Sequence, residues 1–445
     1  MDRVALIGEN SVEYISTLVD IWNNGDCAVL IDWRIPLQTA AEMMREANVH
    51  TCYIEKNLFN KSITTSGNIS FVLYERKNVS AEYLPKSIYD KFEPNYSQNE
   101  AIIIYSSGTT GKSRGIILSH FAINTNADAI LDYMKIDVRD CLYIAKALSH
   151  SSALTGELLV SLKSKAKLVV APTVVHPRFV LSNIDKFGVT TICLNPTLLQ
   201  MYVREYNLKP YPLRTLKTIY VSGSILYDKV YMKAHQTFKN IAIYNVYGLS
   251  ETGPRITAQR KDCCESNSVG KAIQGINIAI VDENGTQVSD GNRGIVHVNT
   301  SSRFIGYISG QEKFTSLYNG WLNTGDVGYI DSNGELHIVN RIDDVIILDA
   351  HKIYPVEIEK AILDSTEISD CVVVKANCKN GDFIACLYVG DDILGQTIRH
   401  VLKSKLPAYE IPQRFIRCDT IPRTLNGKIS KVDVKSKIIS VIEME

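Results

Sequence analysis

A stretch of glycines, hydroxyl side chains and cations, residues 105–115, lies between two short apolar runs. The runs 101–104 and 116–118 predict two strands, so the stretch is a loop held between them. Glycine lets the backbone N–H groups approach an anion closely, and Lys112 and Arg114 supply positive charge. The pattern predicts a loop that binds a polyphosphate. The candidate contacts are Ser106, Ser107, Gly108, Thr109, Thr110, Gly111, Lys112 and Arg114.

A second kind of phosphate loop, the Walker loop of P-loop kinases and GTPases, is an alternative interpretation. Its pattern is glycine, four residues, then Gly-Lys-Ser/Thr, and here Ser106 stands at the first position. A Walker loop also runs directly into a helix, whereas residues 115–118 are typical of a strand and a helix can begin only at Ser119. A surface loop without a ligand is the third interpretation.

Composition excludes several classes of protein. The 445 residues exceed what one core usually holds, so we expect at least two domains. The 48 basic and 48 acidic residues cancel, which argues against a nucleic-acid partner. No apolar run reaches the about 18 residues of a membrane span, and the N-terminus lacks a signal-peptide pattern. Ten cysteines without Cys-x-x-Cys pairing indicate reduced thiols, so we expect a cytoplasmic protein.

Alternating patterns predict an α/β fold. Residues 4–7 and 28–31 are typical of buried strands, with an amphipathic helix over 11–22 between them. Similar units recur over 119–143 and 181–194. Such repetition favours mainly parallel sheets covered by helices.

The pattern changes in the last third of the chain. After Val269, short strands alternate with turns, which predicts a small antiparallel or barrel-like β section. A final segment of α+β pattern follows a charged run. We predict a large N-terminal domain over 1–340, a hinge at 341–344, and a small mobile C-terminal α+β domain over 345–445.

Three more segments place polar side chains at turns or strand ends, and a fourth, residues 422–428, ends in Lys428. In residues 244–253, Glu251 suits Mg²⁺, Thr252 can donate to a phosphate, and Tyr247 offers a flat face to a base. Residues 221–224 are small and follow an apolar run. Asp326 lies in a tight turn, where a carboxylate can accept both hydroxyls of a ribose.

Taken alone, these residues have simpler interpretations. Glu251 fits a solvated turn, and Asp343 and Asp344 fit solvated loop charges. Lys428, at the end of residues 422–428, is by itself most simply a solvated lysine.

Together, however, the segments resemble the signatures of the adenylate-forming enzymes, which include acyl-CoA synthetases, adenylation domains and luciferases. The phosphate loop there is Ser/Thr-Ser-Gly-Thr-Thr-Gly-x-Pro-Lys-Gly, and this chain has Ser113 for the proline and Arg114 for the lysine. The other segments resemble Tyr-Gly-x-[Ser/Thr]-Glu, Trp-x-x-Thr-Gly-Asp and Pro-x-Thr-x-x-Gly-Lys. The resemblance extends from about residue 4 to about 434. Family members usually have some tens of residues before the first strand, and we expect their lack to affect stability and assembly more than chemistry.

The resemblance implies an AMP-forming acid–thiol ligase that uses ATP and Mg²⁺. Lys428 then bridges the attacking carboxylate and the α-phosphate, Glu251 holds Mg²⁺, Thr252 assists, and the small domain rotates about Asp343 to admit a thiol. Besides the phosphate loop, the implied nucleotide contacts are Ser222, Gly223, Ser224, Asn245, Tyr247, Gly248, Asp326 and Arg341. A P-loop kinase, or a binding protein that has lost catalysis, stays a less favoured alternative.

The acid and the thiol acceptor are less constrained. The candidate acid pocket comprises His150, Ser151, Ser152, Asn195, Gly248 and Pro254, without the aspartate that amino-acid activators place in this region. We therefore expect an aryl acid or a short to medium acyl acid. The favoured acceptor is coenzyme A. The alternative is the phosphopantetheine of a carrier protein, as in natural-product or siderophore biosynthesis.

One departure from the family affects the second half-reaction. Ala350, near Lys352 in the expected thiol channel, stands where the family usually has glycine. We predict that Ala350→Gly accelerates thioester formation more than adenylation, because it removes a methyl group from the channel. Single-turnover rates of the two half-reactions, compared with those of the unsubstituted protein, check this. Equal effects on both rates would contradict it.

Overall fold

The computed structural model describes residues 1–59, 69–106, 113–173, 176–260, 268–310, 320–348, 351–378, 381–391, 395–424 and 427–443. Up to the first long inner helix, the elements are β1 (Arg3–Ile7), α1 (Val12–Asn23), β2 (Cys27–Ile31), α2 (Leu37–Glu46), β3 (Thr51–Glu55), β4 (Ser70–Tyr74), β5 (Glu82–Tyr83), α3 (Lys86–Lys91), β6 (Glu100–Ser106), β7 (Arg114–Ser119) and α4 (His120–Met134).

The middle of the chain continues the alternation of strands and helices. Its elements are β8 (Cys141–Ile144), α5 (Ser151–Ala153), a π-helix (Leu154–Leu159), α6 (Val160–Ser164), β9 (Lys167–Val170), α7 (Pro177–Lys186), β10 (Thr191–Leu194), α8 (Pro196–Leu208), β11 (Thr218–Val221), α9 (Asp228–Thr237), β12 (Ala242–Tyr247), β13 (Thr257–Ala258) and β14 (Lys271–Ala272).

The remaining elements are mostly strands until the last hundred residues. They are β15 (Ile276–Val281), β16 (Gly294–Thr300), β17 (Gly306–Tyr307), β18 (Leu322–Ile330), β19 (Leu336–Arg341), β20 (Ile346–Leu348), β21 (His351–Ile353), α10 (Pro355–Ser365), β22 (Asp370–Cys378), β23 (Gly381–Val389), α11 (Gly395–Leu402), β24 (Arg414–Arg417) and α12 (Lys431–Ile442).

Two mainly parallel sheets form the large part of the molecule. The first has the order β17-β7-β6-β2-β1-β3-β4, with β7 antiparallel to β6. The second has the order β14-β13-β12-β11-β10-β8-β9-β5, parallel from β12 to β9. Strand β2 is buried along its whole length, as expected for an apolar strand inside a sheet covered on both faces. The predicted α/β fold with parallel sheets is confirmed.

The largest apolar cluster lies between the two sheets. It joins Leu6 and Ile102 of the first sheet to Leu142 and Leu168 of the second through α1, α4 and the π-helix. Helices α7, α8 and α9 cover the outer face of the second sheet, and α2 covers the outer face of the first. Each fully buried aliphatic side chain contributes about 1.5–3 kcal/mol to folding.

Helix α4 begins where the sequence predicts. The Oγ of Ser119 accepts a hydrogen bond from the N–H of Ala122 at 3.1 Å, which satisfies one of the donors left free at a helix start. Farther along α4, Asn126 faces the glycine turn after β12. There, Asn126 binds the backbone N–H and C=O of Arg255, each at 2.9 Å.

The last part of the chain forms smaller units. Strands β15, β16, β18 and β19 form an antiparallel sheet, as predicted for the region after Val269. Beyond the hairpin β20–β21, a sheet of β22, β23 and β24 carries α10 and α11 on one face and α12 on the other. The small α+β domain is thus present. Its boundaries and the hinge at 341–344 stay predictions.

Among the described residues, no helix is both long and apolar enough to cross a membrane.

We predict that Ser119→Ala lowers the free energy of unfolding by about 1 kcal/mol, because the start of α4 loses its side-chain cap. Urea unfolding followed by far-UV circular dichroism measures this. Ser182→Ala is the matched control, since the Ser182 hydroxyl is exposed and bonds the Phe179 carbonyl within a helix. Equal midpoints for both variants would contradict the capping role.

Candidate functional site

A crevice of about 1350 Å³ separates the small domain from the large one. Its walls come from the ends of β11 and β12 in the second sheet, from β18 and β19, and from the segment around Lys428. The carboxyl ends of parallel strands are where open α/β sheets bind ligands. The polar residues predicted from the sequence therefore converge on one cleft. Those that line it are Arg114, His150, Ser151, Ser152, Ser222, Gly223, Ser224, Asn245, Tyr247, Gly248, Glu251, Pro254, Asp326, Arg341, Asp343 and Lys428.

Asp326 lies at the centre of this cleft and is 4% exposed. Its Oδ2 accepts a hydrogen bond from the Tyr247 hydroxyl at 2.5 Å, and its Oδ1 lies 3.5 Å from Nε of Arg341. Burial raises the pKa of the Asp326 carboxyl, and the charge of Arg341 and the bond from Tyr247 oppose that rise. Burial also raises the pKa of Tyr247, followed by the effect of Asp326, so the tyrosine hydroxyl keeps its proton to donate.

Glu251 stands on the opposite wall in the 3₁₀ turn Ser250–Thr252. Its Oε1 accepts a hydrogen bond from the Tyr307 hydroxyl at 2.8 Å. The guanidinium of Arg114 lies over the ring of Tyr307, 5.8 Å from its centre. Strand β17 thus connects the end of the phosphate loop to the predicted Mg²⁺ ligand, a connection that the sequence interpretation missed.

Lys428 reaches the same cleft from the small domain. The protein around it lowers the pKa of its ammonium, as does the charge of Arg341, whereas Glu251 and Asp326 raise it. The side chain is nonetheless exposed, because the cleft is deep but open. The lysine turn is held in place by the Thr197 hydroxyl, which donates to the carbonyl of Gly427 at 3.2 Å.

Gly248 shows why the turn after β12 requires glycine. A Cβ at this position would lie 1.8 Å from the carbonyl oxygen of Pro254. The chain folds back on itself here, which brings Pro254 and Arg255 into the wall of the cleft.

Some predicted residues are placed elsewhere. Thr252 is fully buried and its hydroxyl donates to the Leu249 carbonyl at 2.9 Å, so it supports the turn and does not reach the cleft. Asn195 caps α8, with Oδ1 accepting from Leu198 N at 2.8 Å, and does not line the cleft. Lys352 forms an ion pair with Glu283 at the surface.

Other predictions cannot be placed. Residues 107–112 of the phosphate loop and Ala350 lie outside the described residues, as does the side chain of Ser106. Arg255, two residues after the turn of residues 248–253, was missed, because no motif or periodic pattern marks it.

Comparison with known families agrees with this geometry. Residues 1–308 match the AMP-binding enzyme family, and residues 357–428 match the AMP-binding enzyme C-terminal domain. The chain belongs to the AMP-binding enzyme family. The family predicted from the sequence motifs is therefore confirmed.

Relatives of known activity cover almost the whole chain. An indoleacetate–CoA ligase of Aromatoleum aromaticum is 25% identical over 99% of this chain and 89% of its own. A fatty acid–[acyl-carrier-protein] ligase, ScoC, of Streptomyces coeruleorubidus is 24% identical over 98% of this chain and 86% of its own. Both are ligases that join an acid to a thiol acceptor.

Solved structures share the fold. The anthranilate CoA ligase AuaEII with anthranoyl-AMP superposes with a TM-score of 0.86 at 19% identity, over 98% of this chain and 87% of its own. The O-succinylbenzoate coenzyme A synthetase of Bacillus subtilis was solved with ATP and magnesium. It superposes with a TM-score of 0.82 at 22% identity, over 98% of this chain and 89% of its own. ATP and Mg²⁺ are thus ligands found within this fold.

Three consecutive residues before and in α9 bind the small domain. The Tyr227 hydroxyl donates to the buried carboxylate of Glu359, which also accepts from the N–H of Val373 at 2.7 Å. Asp228 pairs with Lys360 at 2.7 Å, and Lys229 donates to the carbonyl of Thr366 at 2.7 Å. We call Tyr227, Asp228 and Lys229 the latch.

We predict that Tyr227→Phe loosens the small domain, because the buried Glu359 carboxylate loses a donor that a phenyl ring cannot replace. Hydrogen exchange followed by mass spectrometry should be faster in α10 and at the start of α9. Tyr211→Phe is the matched control, since the Tyr211 hydroxyl bonds Glu205 at 3.1 Å within the large domain. Unchanged exchange in α10 would contradict the latch.

Proposed function

We propose that this protein is an ATP-dependent acid–thiol ligase. It activates a carboxylic acid as an acyl-adenylate with release of pyrophosphate, and then transfers the acyl group to a thiol. The observation that carries the proposal is the position of Lys428, in one cleft with Asp326, Arg341 and Glu251. A lysine brought by a separate domain to a nucleotide-type cleft is the arrangement that adenylation requires.

In the first half-reaction, the carboxylate oxygen of the acid attacks the α-phosphorus and the bond to the leaving pyrophosphate breaks. The Lys428 ammonium stabilises the charge shared by the attacking carboxylate and the α-phosphate. Asp326 receives the ribose hydroxyls, with its orientation set by Tyr247 and Arg341. Arg114 contributes positive charge at the end of the phosphate loop.

Mg²⁺ fits the oxygen donors near Glu251. Tyr307 holds one carboxylate oxygen of Glu251, so the group is oriented before a metal binds. Mg²⁺ commonly takes one or two protein carboxylates and completes its shell with phosphate oxygens and water. When bound, it would neutralise charge on the phosphates.

In the second half-reaction, the thiol sulfur attacks the acyl carbon and AMP leaves with the electron pair of the broken bond. Lys428 occupies the cleft in the observed arrangement, so a thiol needs the small domain to rotate away. The latch and the contact of Thr197 with Gly427 must then break. Asp343, the middle residue of the short turn Ile342–Asp344, is the proposed pivot.

Coenzyme A is the favoured thiol and an aryl or short to medium acyl acid the favoured substrate. The indoleacetate–CoA ligase supports both choices by its similarity. The carrier-protein ligase ScoC supports a second candidate, in which the acyl group passes to the phosphopantetheine of a carrier protein. AMP release that depends on coenzyme A supports the first candidate. AMP release that occurs only with a phosphopantetheinylated carrier protein supports the second.

The experiment that tests the function is ATP–pyrophosphate exchange with a panel of aryl, fatty, short-chain and amino acids. Exchange that depends on one group of acids supports adenylation and names the acid class. ADP as product, or no exchange with any acid, would overturn the proposal.

We predict that Lys428→Ala lowers exchange by about 10²–10³-fold, because one charged group that stabilises the transition state is lost. ATP binding measured by calorimetry should change little, since Asp326, Tyr247 and Arg341 are kept. Lys403→Ala, at an exposed lysine of the small domain, is the control and should leave both quantities unchanged. Undiminished exchange in Lys428→Ala would remove the assigned role.

A further inference from the structure

A buried cation, Arg255, lines the cleft near the predicted acid pocket. The pocket begins at His150, Ser151 and Ser152, and Arg255 contributes to the same wall of the cleft as Pro254. Arg255 is only 2% exposed, and its Nε has no hydrogen-bond partner among the described residues. A guanidinium stays protonated and can bond a carboxylate through two N–H groups at once.

The position of Arg255 is set by its surroundings. Asn126 binds its backbone N–H and C=O, each at 2.9 Å, so the main chain at this point cannot shift freely. A Cβ added to Gly156 would lie 3.2 Å from Nη2 of Arg255. The guanidinium therefore fills the space beside the glycine of the π-helix. Single π turns of this kind occur frequently at functional sites.

The charges behind the pocket do not cancel. Lys146 pairs with Glu157 at 2.9 Å, and the Glu157 side chain is 1% exposed. The charge of Arg255 lowers the pKa of the same carboxyl. The charges of Glu157, Lys146 and Arg255 all affect the pKa of the Cys193 thiol. Among these three groups, two are cations and one is a buried carboxylate. An uncompensated buried charge is costly, and a ligand anion would offset it.

We propose that Arg255 determines specificity, and that the acid is a short one bearing a second carboxylate at its far end. The first carboxylate lies at Lys428 and reacts, whereas the second binds the guanidinium of Arg255. A charge-assisted contact of this kind selects strongly, because a carboxylate at the far end of the acid can bond the guanidinium and an apolar end cannot. This inference rests on the proposed function and narrows its acid class.

The test compares pyrophosphate exchange with two matched pairs of acids. The pairs are glutarate with pentanoate, and benzene-1,4-dicarboxylate with 4-methylbenzoate. We expect kcat/KM of the unsubstituted protein to be about 10–100-fold higher for the dicarboxylic member of at least one pair, since a bond to a charged group is involved. In Arg255→Met this preference should be lost mainly through KM, whereas Arg255→Lys should keep part of it.

Controls separate binding from folding. Arg204→Met, at an exposed arginine of α8, should keep the full preference. ATP binding by calorimetry shows that Arg255→Met is folded. If Arg255→Met does not bind ATP, the test rests on the preference for dicarboxylic acids in the unsubstituted protein and in Arg255→Lys.

The outcomes also separate this inference from the proposed function. Exchange that favours pentanoate and 4-methylbenzoate, or an unchanged preference in a folded Arg255→Met, would overturn the role of Arg255 and leave adenylation standing. Exchange with no acid at all would overturn the proposed function and this inference with it.

Discussion

The carboxylate of Asp326 is the point at which distant parts of the chain meet. It lies on β18, accepts a hydrogen bond from Tyr247 of β12, and faces Arg341 at the end of β19. Lys428 of the small domain acts on it from the other side of the cleft. A carboxylate that is 4% exposed is stable only if partners replace its lost hydration. The requirement to satisfy this one group therefore sets the relative placement of two sheets and the small domain.

The contacts between the domains explain how such a placement can be both specific and reversible. Apart from the buried bond between Tyr227 and Glu359, several contacts are partly exposed ion pairs, such as Arg293 with Glu357. Exposed pairs contribute about 0–1 kcal/mol each, so they orient the small domain without holding it permanently. The proposed second half-reaction, in which the small domain rotates away, requires contacts that can break in this way.

The acid pocket illustrates a different constraint. Ser151 and Ser152 line the cleft there with small hydroxyl side chains, whereas Arg255 contributes a guanidinium on a main chain that Asn126 holds. Selectivity in such a pocket depends on the most buried polar group, because a mismatch there leaves a charge without water or partner. If Arg255 binds the acid as proposed, it selects the substrate at a site separate from Lys428.

Much of the architecture and the family could be predicted from the sequence, because both depend on local patterns. Apolar runs predicted β1, β2, β6 and β7, the cap Ser119 marked the start of α4, and the spaced motifs around Glu251, Asp326 and Lys428 indicated the family. The roles of individual residues depend on contacts between segments far apart in the chain. Thr252 has the right hydroxyl, yet the fold turns it into the core, and Asn195 is used as a helix cap. Arg255, Tyr307 and the latch carry no periodic or motif signal, so only tertiary structure could bring them to Gly156, Glu251 and Glu359. Local sequence determines which elements form and which chemical groups are available. The packing of these elements decides which side chains face the cleft, because the burial and charge of a site depend on all the segments that surround it.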